Sequence, residues 1–264
     1  MNKLTRRTFL RSSAAAIGAG FALHAAPGHA FAQVELPWTA IGYTQAGAPI
    51  VVYHLGDSAS RILLLGGQHG GPEANTIQLV RQLTSHFTAY LDELPRGLGI
   101  DFLPDANPDG TRAGIRQYLS GVDPNRNWPS PDWRSDAYDS NGVLRRGLGG
   151  AEPFSDQETR AMAAWLLESR PLLVVNYHSA GGFMFGGRDG LAGELAEAYA
   201  GASGYWRPVP GGGSSPLPYR ATGSMNVWMR EVGIDGLFVE LTTPSDPELR
   251  RNLAGLRAVL TRLA

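Results

Sequence analysis

The sequence predicts an α/β fold, a single domain whose mixed, largely parallel sheet is covered by helices on both faces. Three observations predict it. Short runs that are apolar throughout recur along the chain, helical patterns alternate with them, and polar residues capable of chemistry stand where the runs end. A strand that is apolar on both sides must be buried on both faces, as in a parallel sheet packed between helices. A length of 264 residues, 43% hydrophobic and 18% charged, suits one such domain with ample core material.

The elements follow in order. Arg61-Ile62-Leu63-Leu64-Leu65-Gly66-Gly67 is an apolar run that breaks at glycines, as a buried strand does on reaching a loop. Ile77, Leu79, Val80, Leu83 and Phe87 recur at helical spacing, so a helix begins just after Pro72, with the proline near its first turn. Ile100-Asp101-Phe102-Leu103 is a second strand. Ser155-Asp156-Gln157-Glu158 fits a capping box ahead of a helix containing Met162, Trp165 and Leu166. Residues 172–177 and 237–239 are the third and fourth strands, and a last helix runs over about 247–263. Residues 129–153 and 207–218 are rich in Gly, Pro, Ser and Asp and read as long surface loops.

The first thirty or so residues read as an export signal rather than as part of the fold. Thr5-Arg6-Arg7-Thr8-Phe9-Leu10-Arg11 is a twin-arginine run, residues 12–23 are small and apolar, and Ala30-Phe31-Ala32 offers an A-x-A cleavage site. The apolar stretch falls short of the ~20 residues that a spanning helix needs. The expected organisation is a twin-arginine signal peptide over 1–32 and the single domain over 33–264. The location expected is periplasmic or secreted, with no membrane span after signal removal. A formal net charge of −1 gives no electrostatic footprint for nucleic acid. The absence of cysteine excludes disulfides and thiolate metal sites, so any metal must be held by histidine and carboxylate.

Ligands of open α/β sheets gather at the C-terminal ends of the strands. His69, Asn107, His178 and Glu240 each follow or end one of the four runs. His69 and Glu73 lie close together at a strand-to-helix turn, where they can supply two of the three protein ligands of a catalytic zinc. Taken alone they are equally a loop histidine and an acidic first-turn residue favoured by the helix dipole. Arg116, followed by Gly121-Val122-Asp123-Pro124-Asn125-Arg126-Asn127, places two arginines and two asparagines in one connected loop. Guanidinium groups bind carboxylates in bidentate fashion, and a neutral amide beside one fixes orientation. Glu240 is a lone carboxylate in an apolar strand. Burying it unpaired is expensive, so it needs a partner charge or a job, and desolvation raises its pKa as a general base requires.

In this order the residues resemble the zinc carboxypeptidases of the carboxypeptidase A superfamily. Within that superfamily they are most similar to the short bacterial members acting on murein peptides, the γ-D-glutamyl-meso-diaminopimelate amidases. The likeness spans about residues 61–241. Its carriers are Asn107-Pro108-Asp109-Gly110, the 121–127 segment and Tyr219-Arg220-Ala221-Thr222-Gly223-Ser224. The resemblance implies one zinc per chain, with His69, Glu73 and His178 as ligands and Asp123 orienting His69 through its other ring nitrogen. It also implies that Arg116 polarises the scissile carbonyl, that Asn125 and Arg126 grip the substrate's terminal carboxylate, that Tyr219 covers bound substrate, and that Glu240 is the base. Three positions depart from the family pattern. Glu73 is four residues after His69 instead of three, Pro124 replaces a leucine, and Tyr118 stands where murein-type members carry asparagine.

The expected reaction is zinc-assisted hydrolysis of an amide bond next to a free carboxylate, in a peptide or a murein peptide from peptidoglycan. Two other classes compete. A deacylase of the aspartoacylase and succinylglutamate desuccinylase type shares the chemistry, but the Tyr219 segment and the Asn-Pro-Asp-Gly turn argue against it. A non-catalytic peptide-binding protein on a decayed peptidase fold is supported by the shifted Glu73 alone.

Overall fold

A computed structural model describes residues 35–187, 189–208, 217 and 219–264. The expected signal peptide and most of the 207–218 loop lie outside the described residues. The chain opens with two strands, β1 (Trp38–Tyr43) and β2 (Pro49–Leu55), followed by β3 (Arg61–Leu65), α1 (Ala74–Ala89) and β4 (Gly99–Leu103). A short α2 (Pro108–Ala113) and a small hairpin, β5 (Ala137–Tyr138) with β6 (Leu144–Arg145), precede α3 (Gln157–Ser169). Then come β7 (Leu173–Ser179), β8 (Phe183–Gly186), α4 (Gly190–Ser203), α5 (Met225–Glu231), β9 (Gly236–Leu241) and α6 (Leu249–Leu263).

The main sheet has seven strands in the order β1-β2-β4-β3-β7-β9-β8. The four strands marked by the sequence, β4, β3, β7 and β9, lie together at its centre and are mutually parallel. The strands at the edges, β1 and β2 on one side and β8 on the other, run antiparallel to their neighbours. The sheet is therefore mixed, with its parallel character confined to the buried middle.

Alternation along the strands divides the core into two layers. Ile62, Leu64, Val175, Tyr177 and Val239 pack with Leu79, Val80, Leu83 and Phe87 of α1 and with Leu195, Leu253 and Leu256 of α4 and α6. Leu63, Leu65, Val174 and Phe238 face the other way, against Met162 and Leu166 of α3 and Met225 and Trp228 of α5. Each such side chain contributes roughly 1.5–3 kcal/mol by leaving water. Two helical layers thus clamp the parallel strands, whose C-terminal ends all lie at the same end of the sheet.

Two local expectations need correction. The capping box at α3 does not close. Asp156 is the N-cap with no side-chain cap bond, Ser155 donates to the Asp156 carboxylate, and Glu158 instead accepts the backbone N–H of Gln45 at 2.9 Å. The turn between β1 and β2 has recruited the glutamate. The 129–153 segment is also more than a surface loop. It contains the β5–β6 hairpin, and Ala137, Leu148, Gly149 and Gly150 are buried within it.

Candidate metal centre

The turn after β3 solves the spacing problem around His69. Gly71 has φ +51°, a left-handed conformation that favours glycine. A Cβ on Gly70 or Gly71 would lie 2.4 Å from the backbone of Gly110 or Gly114. The chain can therefore press against α2 and its exit, make one 3-10 turn over Gly71–Glu73, and bring Glu73 back beside His69. His178 arrives from the neighbouring strand β7, in register with Glu240 on β9.

Donor atoms of three residues converge. His69 Nδ1 lies 2.9 Å from Glu73 Oε1 and 3.2 Å from His178 Nδ1, and His178 Nδ1 lies 3.3 Å from Glu73 Oε2. Tetrahedral zinc at about 2.0–2.1 Å from each ligand spaces neighbouring donors by about 3.3 Å. The set His69, Glu73 and His178 fits that ion, and all three side chains are buried. The chemistry agrees with the spacing. His69 Nε2 is 3.0 Å from Asp123 Oδ1, so the ring's proton belongs on Nε2 and the Nδ1 lone pair faces the centre. Two ring nitrogens facing each other beside a carboxylate are what a cation requires. His178 Nε2, by contrast, is buried with no hydrogen-bond partner among the described residues.

A ring of charge surrounds the donors. Arg116 bonds Asp123 Oδ2 through Nε at 2.9 Å and Glu73 Oε1 through Nη1. Burial works against the Glu73 charge, yet His69, Arg116 and the bond to His178 overcome it and hold the carboxyl well below the usual range. Asp123 behaves alike: burial opposes ionisation, and Arg116, His69 and Arg126 hold its carboxyl low. The backbone N–H of Ser179 adds a further bond to Glu73 Oε2 at 3.1 Å. Both carboxylates are therefore ionised and oriented.

Glu240 is the exception. Among residues 237–241 it alone keeps some solvent exposure. Burial, with a smaller push from Glu73, raises its carboxyl to about 7 against the pull of His178 and Arg116. A carboxylate titrating near neutrality beside a metal centre can both take and return a proton.

The remaining candidates sit on loops. Asn125 is fixed at two atoms: its N–H donates to Asp123 Oδ1 at 2.8 Å, and its Oδ1 accepts from Met225 N at 2.9 Å. Its amide NH2 makes no hydrogen bond among the described residues. The Arg126 guanidinium is buried and donates to the carbonyls of Tyr138 and Asn125, bonds that occupy two of its five N–H groups. The ring of Tyr219 lies with its centroid 5.8 Å from that guanidinium. Of the two substitutions noted in the sequence, Pro124 is accommodated with its carbonyl accepting the Trp128 indole N–H at 2.8 Å. Tyr118 is wholly buried and its hydroxyl bonds Thr159, so it takes no part in the surface of the site.

Sequence reasoning missed three contributors. The Arg116–Glu73 pair joins residues 43 apart and leaves no local signal. The Ser179 amide is invisible because backbone donors carry no residue code. The β5–β6 hairpin, whose Tyr138 carbonyl anchors Arg126, did have a signal in Asn141-Gly142 between Tyr138 and Val143.

Comparison with known proteins agrees with this geometry. Murein peptide amidase A of Escherichia coli K12 is 27% identical over 222 residues, covering 78% of this chain and 82% of the relative. The fold is shared with the murein-tripeptide amidase of E. coli O157, with TM-score 0.64 at 22% identity over 85% of this chain and 91% of the other. Bovine thrombin-activatable fibrinolysis inhibitor shares it too, with TM-score 0.70 at 16% identity over 86% of this chain and 89% of the other. The support for decay that the shifted glutamate offered disappears, because Glu73 lies within the donor set. The family model described as zinc carboxypeptidase matches residues 38–241, and the chain belongs to that family, a zinc metallopeptidase by membership.

Proposed function

We propose that the protein is a metallocarboxypeptidase that hydrolyses the amide bond next to a substrate's free carboxylate. The observation that carries this reading is the juxtaposition of the His69–Glu73–His178 donor set with Glu240, paired in register with His178 and titrating near 7. Zinc, when bound, supplies Lewis acidity, which acidifies water and polarises a carbonyl. Glu240 takes a proton from the attacking water and passes it to the leaving amine nitrogen as the C–N bond breaks. Arg116 donates to the carbonyl oxygen as negative charge grows there. Asn125 and Arg126 hold the terminal carboxylate through the amide NH2 and the spare guanidinium N–H groups, and Tyr219 closes over the bound residue. Asp123 keeps the His69 ring in the ligating tautomer.

The substrate class we favour is the stem peptide of peptidoglycan. The amidases whose names refer to murein match most of the chain's length, and the twin-arginine leader points to export into the periplasm or beyond. Purified zinc-loaded protein incubated with murein tri- and tetrapeptides, ordinary dipeptides and N-acyl amino acids, and read by mass spectrometry, tests the proposal. Release of a C-terminal residue from the murein peptides is expected. Cleavage of N-acyl amino acids alone would move the protein to the deacylases, and cleavage of none would remove the enzymatic reading.

A further inference from the structure

A buried pair of amides joins the two halves of the site. Gln68 precedes His69 in the turn after β3, and Asn176 stands on β7 two residues before His178, on the same face of the sheet. Asn176 Nδ2 donates to Gln68 Oε1 at 2.8 Å. Gln68 Nε2 in turn donates to the carbonyl of Pro124 at 3.2 Å. Only this orientation of the two amides places a donor opposite an acceptor at both contacts. Pro124 lies between Asp123 and Asn125, and its carbonyl belongs to the peptide that leads into Asn125. Both amides also reach the sulfur of Met225, at 3.6 and 3.7 Å, whose backbone N–H holds the Asn125 side chain.

The arrangement is costly for a purely structural one. Gln68 is 1% exposed and Asn176 0%, and Asn176 Oδ1 has no hydrogen-bond partner among the described residues. An unpartnered buried carbonyl oxygen destabilises, and apolar residues of similar shape at both positions would remove that penalty. The neighbours of Asn176 on β7 are Val174, Val175 and Tyr177, which shows what packing alone selects there.

We propose that Gln68 and Asn176 are positioning residues that set the carboxylate-reading loop against the metal-binding strand ends. They act through Pro124 on Asn125 and Arg126 and thereby fix selectivity for a free terminal carboxylate. The inference rests on the carboxylate-reading role proposed above for those two residues. Gln68 touches neither the donor atoms nor the substrate, so its loss leaves the donor set intact and tilts the loop.

Three variants test it: Gln68→Met, Asn176→Leu and the double variant, each zinc-loaded, with kcat and KM measured on a free-acid peptide and on its C-terminal amide. Gln68→Met should lower the acid-to-amide ratio of kcat/KM by about five- to hundredfold, mostly through KM on the acid, with zinc stoichiometry unchanged. The Trp128 indole N–H, which shares the Pro124 carbonyl with Gln68, should shift in the 1H–15N spectrum of the same variant. The double variant should melt at or above the wild-type temperature and still show the lowered ratio, which a packing role would not produce. Asn176→Leu severs the same bridge from the other side should Gln68→Met fail to fold. A wild-type preference for the acid that survives unchanged in the variants overturns the positioning role alone. A wild-type ratio near one overturns the carboxylate reading and this inference with it.

Discussion

The two ends of the site are built in opposite ways. At the metal end, charge answers charge. Glu73 and Asp123 lie between two histidines and Arg116, and the sheet's parallel centre delivers His69 and His178 side by side. At the carboxylate end, Asn125, Arg126 and Tyr219 ride on loops: the Arg126 guanidinium meets backbone carbonyls and one ring face in place of a carboxylate, and Asn125 is held by the Met225 N–H and by Asp123. A full opposite charge attracts a guanidinium more strongly than a carbonyl dipole or a ring face does. The difference teaches what each end is for. The metal end is organised before any ligand arrives and should fail completely when broken. The loop end is adjustable, and damage to it should be graded and dependent on the substrate.

The largest effect is expected at the metal end. His178→Ala removes one of three protein ligands, so elemental analysis should fall from about one zinc per chain to nearly none, with activity lost. Glu73→Ala should do the same, and retention of metal and turnover in that variant would exclude Glu73 from the ligand set.

Next comes Glu240→Gln, which keeps shape and zinc but removes the proton acceptor. A loss of ~10²–10⁴-fold in kcat is expected, and one below about tenfold would exclude Glu240 as the base.

At the loop end, Arg126→Ala should cost ~2–5 kcal/mol on free-acid substrates, roughly thirtyfold to several thousandfold in kcat/KM. Arg126 also anchors the hairpin through the Tyr138 carbonyl, so the melting temperature should fall as well. An equal loss on acid and amide would reduce Arg126 to that anchoring role and erase the contrast between the two ends.

The smallest effect concerns stability without metal. Burial raises Glu240 from the usual 4.5 to about 7 in the folded chain. Between those values the unfolded chain has lost a proton that the folded chain retains, so stability falls as pH rises through that window. Glu240→Gln removes this dependence. The metal-free variant should gain melting temperature over metal-free wild type at pH 8 and show little difference at pH 4. A gap of the same size at both pH values would show that burial does not control this carboxyl.

The same contrast governs what could be read from the sequence. The central strands were legible because residues buried on both faces are mostly apolar, as in Ile62–Leu65 of β3 and Val174, Val175 and Tyr177 of β7. The edge strands were passed over, although Ile50-Val51-Val52-Tyr53 in β2 carries a β-branched signal. The ligand histidines were legible because each ends an apolar run. Glu73 was harder, since its reach depends on the left-handed turn at Gly71, a backbone conformation rather than a residue pattern. The Arg116–Glu73 pair and the Ser179 amide were illegible in principle, because tertiary packing alone creates them. The capping box at Ser155 shows the reverse case, a local motif overridden when the β1–β2 turn claimed Glu158.

The most direct test of the account is the ratio of kcat/KM for a free-acid peptide to that for its C-terminal amide, measured with zinc-loaded wild-type protein. The account expects the acid to be preferred by at least about thirtyfold, the minimum worth of a charge-assisted contact in a partly desolvated pocket. A ratio near one would contradict it, because an enzyme indifferent to the terminal carboxylate has no use for Asn125 and Arg126 in the roles given them here.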